Sequence, residues 1–283
     1  MKTGIVFEGG ANRTVFSMGV ADALLEADIK TDYLVGSSAG IAYGVNFASK
    51  QKGRVLQIFR QYVKDKRYMG ARHMLNRKNK CYFNLDFTYR EIPNELVPFD
   101  FEEYKKYPST PEAAVANMLT GETDYIPVDA NDKEFNALRA SCALPLLFPI
   151  IYVDGIPYMD GGLSDPVPYN RAFSKGCDKL IVVLTREKGY HKGPEGMQWL
   201  LKHKYSEYPN FLKVIENRPE VYNNQRKELL KLEKEGKVFL IMPESTKDFS
   251  RTEKNMDVLQ AMYDDGYNKM KSRVEELKEF LDK

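Results

Sequence analysis

Short apolar runs punctuated by glycine open the chain. Gly4-Ile5-Val6-Phe7 is β-branched and aromatic and ends at a Gly-Gly turn, the pattern of a buried strand. Val15, Phe16, Gly19, Val20, Ala23, Leu24 and Ala27 then recur at helical spacing, which predicts an amphipathic helix to about Ala27. Asp32-Tyr33-Leu34-Val35 reads as a second strand. From Ala39 to Ala48 the pattern is helical and rich in small residues, which lets a helix lie close to a sheet. Strand, helix, strand and helix in this order imply an α/β sandwich with parallel strands.

Further along, residues 65–108 are basic and then aromatic, with Pro93, Pro98 and Pro108, and suit a flap or insertion over one edge. Glu112 to Pro127 predicts a hairpin about Thr120-Gly121-Glu122. A second hairpin is expected where Ile150–Val153 and Pro157–Met159 flank Asp154-Gly155, a strong turn signal. Leu180 to Leu184 has the composition of a buried parallel strand. Beyond Gly189 the chain is charged and mainly helical, interrupted by one strand at Val238–Met242. Met256 to Leu281 reads as a single helix with apolar positions at Leu259, Met262, Tyr263, Met270, Val274, Leu277 and Leu281. The expected organisation is an α/β part over residues 1–188 and a helical extension over 189–283, packed on the same body.

Composition narrows the partners. Of 283 residues 43% are hydrophobic and 29% charged, and the net charge is only +2. No field of one sign marks nucleic acid as an obligatory partner. Cys81, Cys142 and Cys177 are odd in number and widely spaced, so reduced thiols in a cytoplasmic protein are expected rather than a disulfide framework or a zinc site. The N-terminus lacks a signal-peptide pattern. The longest apolar stretch, Ala143 to Tyr152, is broken by Pro145 and Pro149 and is too short to span a membrane. Contact with lipid is therefore expected to be peripheral. The basic segment Lys64–Lys80, with Tyr68, Met69, Met74 and Leu75 interleaved, reads either as a solvated flap or as a membrane-facing surface. No cofactor and no metal site is expected.

The candidate chemistry lies in glycine-rich turns. Gly36-Ser37-Ser38-Ala39-Gly40 falls where a strand ends and a helix begins, the context of a nucleophile elbow. Such a turn exposes Ser38 above the sheet. Gly36 and Gly40 remove side chains that would clash with the crossing elements, and the Ala39 amide at the helix N-terminus points toward developing negative charge. Five-residue matches of this kind are frequent by chance, so context carries the weight. Glu8-Gly9-Gly10-Ala11-Asn12-Arg13, between the first strand and first helix, presents successive backbone N–H groups beside a fixed cation. It completes neither a dinucleotide nor a Walker pattern. A serine needs a base. His73, His191 and His203 lie in a basic stretch, a polar loop and a charged helix. Asp160 ends a short strand and is followed by Gly161 and Gly162, which let backbone or substrate approach its carboxylate.

The three motifs in this order resemble the patatin-like phospholipase family, as do Ala140-Ser-Cys-Ala-Leu-Pro145 through Phe148-Pro149 and Leu163-Ser-Asp-Pro-Val-Pro168. The resemblance covers roughly residues 4–185. It implies a three-layer α/β/α sandwich with a mainly parallel central sheet, here with a helical C-terminal part. It also implies hydrolysis of phospholipid or other lipid acyl esters by a Ser–Asp dyad without histidine. On this reading Ser38 is the nucleophile and Asp160 the general base. Amides around Gly9, Gly10 and Ala11 form the oxyanion hole, with Arg13 supporting that loop. The family usually has glycine where Ala11 and Thr14 stand; alanine supplies the same N–H but resists positive φ. Two other readings stand beside it. One is an α/β-hydrolase triad of Ser38, Asp160 and His191 or His203. The other is a lipid-binding or regulatory protein that keeps the fold with little turnover.

Overall fold

The computed structural model describes residues 1–75, 81–194, 196–247 and 249–283. In chain order the strands are β1 (Thr3–Phe7), β2 (Tyr33–Ser37), β3 (Glu112–Asn117), β4 (Thr123–Pro127), β5 (Ile151–Val153), β6 (Ile156–Asp160), β7 (Lys179–Val183) and β8 (Val238–Ile241). The early α-helices are α1 (Val15–Glu26), α2 (Ala39–Ala48), α3 (Arg54–Tyr62), α4 (Phe101–Tyr104) and α5 (Asn136–Ser141). The later ones are α6 (Tyr169–Ser174), α7 (Gln198–Lys204), α8 (Pro209–Lys234), α9 (Met256–Ser272) and α10 (Val274–Asp282).

The described strands form one sheet ordered β5-β6-β3-β2-β1-β7-β8, with β4 also paired to β3. The five strands from β3 to β8 run parallel; β4, β5 and β6 join antiparallel. Strand alternation buries both faces. Ile5, Phe7, Ile181 and Val183 enter one core, while Val6, Leu180 and Val182 enter the other. The first core is covered by α1, α2, α3, α5 and α9, and the second by α6 and the later turns of α8. The fold is thus a three-layer α/β/α sandwich, the arrangement a mainly parallel sheet requires.

Both predicted hairpins are present. Ala116 faces Thr123 across the first, and the second turns through Asp154 at φ 50° and Gly155 at φ 79°. The single helix expected over Met256–Leu281 is instead two, because Arg273 (φ −112°, ψ 12°) leaves helical geometry. Its guanidinium donates to the Leu240 carbonyl at 2.8 Å and to both Glu276 oxygens at 2.7 and 2.8 Å, tying the break to β8. Within residues 65–108, Phe87–Leu96 forms a π-helix that buries Pro93 and sends Phe87, Tyr89 and Ile92 into the first core. Of the basic segment Lys64–Lys80, residues 76–80 lie outside the described residues, and Leu75 is exposed. No helix among the described residues is long and apolar enough to cross a membrane.

Candidate active site

β2 ends at Ser37 and α2 begins at Ala39, so Ser38 must turn the chain within one residue. It does so at φ 53°, ψ −136°, a conformation that costs a non-glycine residue about 1–3 kcal/mol and needs support from its surroundings. That support is specific. The Ser38 N–H donates to Ser141 Oγ at 2.9 Å, and Ser141 Oγ donates to the Ala114 carbonyl at 2.7 Å. The Ser38 carbonyl accepts from Ile41 and Ala42 N–H at 3.2 and 3.1 Å. Close passage of the turn over β1 explains the flanking glycines. A β-carbon on Gly40 would lie 2.5 Å from the Phe7 oxygen, and one on Gly36 would lie 3.0 Å from it.

Asp160 arrives from β6, on the far side of β3 from β2. Pairing of β6 with β3 sets Asp160 opposite Val115, one residue beyond the carbonyl that holds Ser141. Ser38 Oγ donates to Asp160 Oδ2 at 2.7 Å, and the Gly162 N–H donates to Oδ1 at 2.7 Å. At Gly161 a β-carbon would fall 2.0 Å from the Ala114 oxygen, so the chain can pass there only as glycine. Asp160 is 1% exposed and Ser38 9%. Burial pushes the Asp160 pKa up; the Ser38 hydroxyl, the charge of Arg218 and the Gly162 N–H offset part of the effect. The result is a more basic carboxylate in contact with a hydroxyl. Beside them the Cys142 thiol is pushed up to about 12 by burial and by the Asp160 charge, so it stays protonated.

The loop after β1 is anchored through Glu8. Tyr222 Oη donates to Glu8 Oε1 at 2.6 Å, and the Thr185 N–H donates to Oε2. Gly10 is extended, but Ala11 sits at φ 49°, in the region alanine resists. Gly9 passes so close to the elbow that a β-carbon there would be 2.8 Å from Ser38 Cβ. Among the described residues, neither the Gly9 nor the Gly10 N–H donates to another group. The Ala39 N–H opens α2, where first-turn donors have no partner within the helix. Arg13 is 6% exposed, and among the described residues its Nε has no hydrogen-bond partner.

The histidines are elsewhere. His73 contacts the Lys66 carbonyl, His191 contacts Asn223, and His203 lies exposed on α7; none hydrogen-bonds to Ser38 or Asp160. The geometry therefore assembles Ser38, Asp160 and the Gly9–Arg13 loop and leaves the histidine triad unassembled.

Two cavities meet at Ser38. One is apolar, with walls that include Tyr43, Val55, Ile58, Phe83, Ile92 and Phe148. The other has a mixed lining with several charged side chains and reaches Asp160. Several residues around the second cavity escape sequence reasoning: Tyr190, Arg218, Tyr222 and Arg251 belong to the C-terminal region and carry no local motif. Ser141, the support of the elbow, lies in a segment the resemblance includes without marking a role.

Comparison with known proteins agrees with this layout. Residues 5–173 match the family model described as patatin-like phospholipase, and residues 208–282 match one described as a domain of unknown function. The chain is 24% identical over 186 residues to the uncharacterized protein YjjU of Escherichia coli K12, covering 64% of this chain and 51% of that protein. It is also 24% identical over 197 residues to lysophospholipase nte1 of Aspergillus niger, covering 64% of this chain and 12% of that protein. The chain thus spans about half the length of the first relative and a small part of the second. With the family model running from β1 through the elbow and Asp160 into α6, the chain belongs to the patatin-like phospholipase family.

Proposed function

We propose that this chain is a serine acyl-ester hydrolase acting on phospholipids or related lipids. The observation that carries the reading is the 2.7 Å hydrogen bond from Ser38 Oγ to a buried carboxylate, on a strained turn at the mouth of an apolar cavity. In the proposed course, Asp160 Oδ2 takes the Ser38 proton as Oγ attacks the ester carbonyl. The N–H groups of Gly9, Gly10, Ala11 and Ala39 stabilise the oxyanion. Collapse of the tetrahedral intermediate expels the alcohol, which receives the proton from Asp160. Asp160 then deprotonates a water that attacks the acyl-enzyme, releasing fatty acid and restoring Ser38. The apolar cavity suits the acyl chain. The three cysteines, all buried and unbridged, support a cytoplasmic location. The two parts of the chain act as one body, since β8 extends the sheet and Tyr222 of α8 holds Glu8. The test is labelling by a fluorophosphonate probe together with hydrolysis of p-nitrophenyl esters. Both should occur in the unaltered protein and vanish in Ser38→Ala; a well-folded protein that neither labels nor hydrolyses would refute the reading.

A further inference from the structure

The second cavity beside Ser38 is rich in cationic side chains, although the whole chain is nearly neutral. Among the described residues that line it are five cationic ones, Arg13, Arg186, Lys192, Arg218 and Arg251, of which Arg13, Arg186 and Arg251 are decisive, and two carboxylates, Glu8 and Asp160. Both carboxylates are already engaged, Glu8 by Tyr222 and Thr185 and Asp160 by Ser38 and Gly162. Among the described residues, no ion pair holds Arg13, Arg186 or Arg251. Arg186 is fixed in place by donation to Thr246 Oγ1 at 2.6 Å and by stacking at 4.2 Å over the Tyr190 ring. Arg218 is fixed by donation from Nε to the Gly162 carbonyl at 2.6 Å, next to Asp160. Arg13, buried with its Nε unpartnered, lines the same space. Burial and the like charges of Arg186 and Arg251 lower its pKa to about 10, a cost that a bound anion would offset. Four of the five cations lie beyond residue 173, outside the matched hydrolase family model, and two of them lie within the region matched as a domain of unknown function.

We propose that this cavity binds the phosphate of a phosphomonoester lipid, and that the C-terminal region thereby selects substrates with a doubly charged headgroup. The proposal rests on the hydrolase reading for the position of the ester: acyl chain in the apolar cavity, carbonyl at Ser38, phosphate among the arginines. Guanidinium groups suit this role because their planar forks match phosphate oxygens.

The test compares oleoyl lysophosphatidic acid with oleoyl glycerol, which share ester and chain and differ by the phosphate. kcat/KM should favour the phosphorylated lipid by about tenfold or more, as charge-assisted hydrogen bonds allow. Arg186→Gln or Arg251→Gln should cut that ratio by about tenfold. Arg251 is exposed, so its substitution disturbs no packing. A ratio near unity, or one that neither substitution moves, overturns the proposal. Calorimetric binding to Ser38→Ala protein repeats the comparison without turnover. A protein inert on both lipids and on p-nitrophenyl esters would thus sink the hydrolase reading, while the two affinities still decide the headgroup site. Glycerol 3-phosphate separates a lipid headgroup from a free phosphate: it should bind about tenfold more weakly than the lipid, and equal affinity would overturn the lipid assignment.

Discussion

Alanine at position 11 holds a left-handed conformation, φ 49°, in the loop beside the serine, so the backbone shape that glycine usually provides there is kept at a cost. Ala11→Gly should relieve about 0.5–1 kcal/mol of that strain, net of the extra freedom glycine gains when unfolded. Urea unfolding measures the gain, and an unchanged or lower midpoint would contradict the strain argument. The identity of residue 11 signals the tension in the sequence, but its φ angle is a tertiary property. Asp160 carries the second residue-scale consequence. Its pKa is raised by burial above the ordinary 3.8, so the base is lost by protonation at a higher pH than for an exposed aspartate. Hydrolysis of a neutral ester should therefore fall as pH drops through a midpoint above 3.8, and Asp160→Asn should cut kcat by about 10²–10⁴-fold. The sign for stability is opposite. A raised carboxyl pKa means that ionisation weakens the fold, so Asp160 costs stability above its folded pKa and the cost fades as pH falls through it. Asp160→Asn should accordingly melt higher than the unaltered protein at neutral pH, a difference readable by calorimetry.

Among elements, the strands and the two glycine turns were the most readable, because a period of two and β-branched runs bounded by glycine are local signals. The Asp154-Gly155 hairpin and the elbow both rest on such signals. The break at Arg273 was not readable, since the apolar spacing runs through it and only the Leu240 carbonyl on a distant strand explains the stop. The same is true of the π-helix Phe87–Leu96. The segment reads as part of a flap in sequence, yet Tyr89, Ile92 and Pro93 wall the apolar cavity. The tight contact between α1 and α9 is also invisible locally. A β-carbon on Gly19 of α1 would lie 2.0 Å from the Tyr263 oxygen of α9, and one on Gly266 would lie 2.1 Å from the Phe16 oxygen. Gly266→Leu should therefore force the helices apart and cost about 1–3 kcal/mol or more, with a matching drop in melting temperature. A variant that melts like the original would show that the two helices can separate freely.

At the scale of the whole molecule, the site is assembled from parts of the chain that lie far apart. Ser38 and the Gly9–Arg13 loop come from the first two strands, Asp160 from a strand on the far side of β3, and Tyr222 from α8. Tyr222→Phe tests whether the C-terminal region steadies the loop. It strands one oxygen of buried Glu8, which should cost about 1–3 kcal/mol of stability. It should also lower kcat for a neutral ester; full activity at a temperature where the variant stays folded would argue that the loop holds itself. What sequence could not supply at this scale was the basic cavity, because its arginines are spaced as an ordinary solvated surface and converge only in three dimensions. The position of β1 has one more effect. Its neighbour β7 begins at Lys179, β8 follows at Val238, and the cover over α1 is α9. A ribosome therefore releases the nucleophile turn long before the strands and helix that enclose it. The emerging chain must carry a bare parallel edge until β7 has emerged and an uncovered apolar helix until α9 has, an interval that exposes slow, non-local sheets to chaperone capture and misassembly.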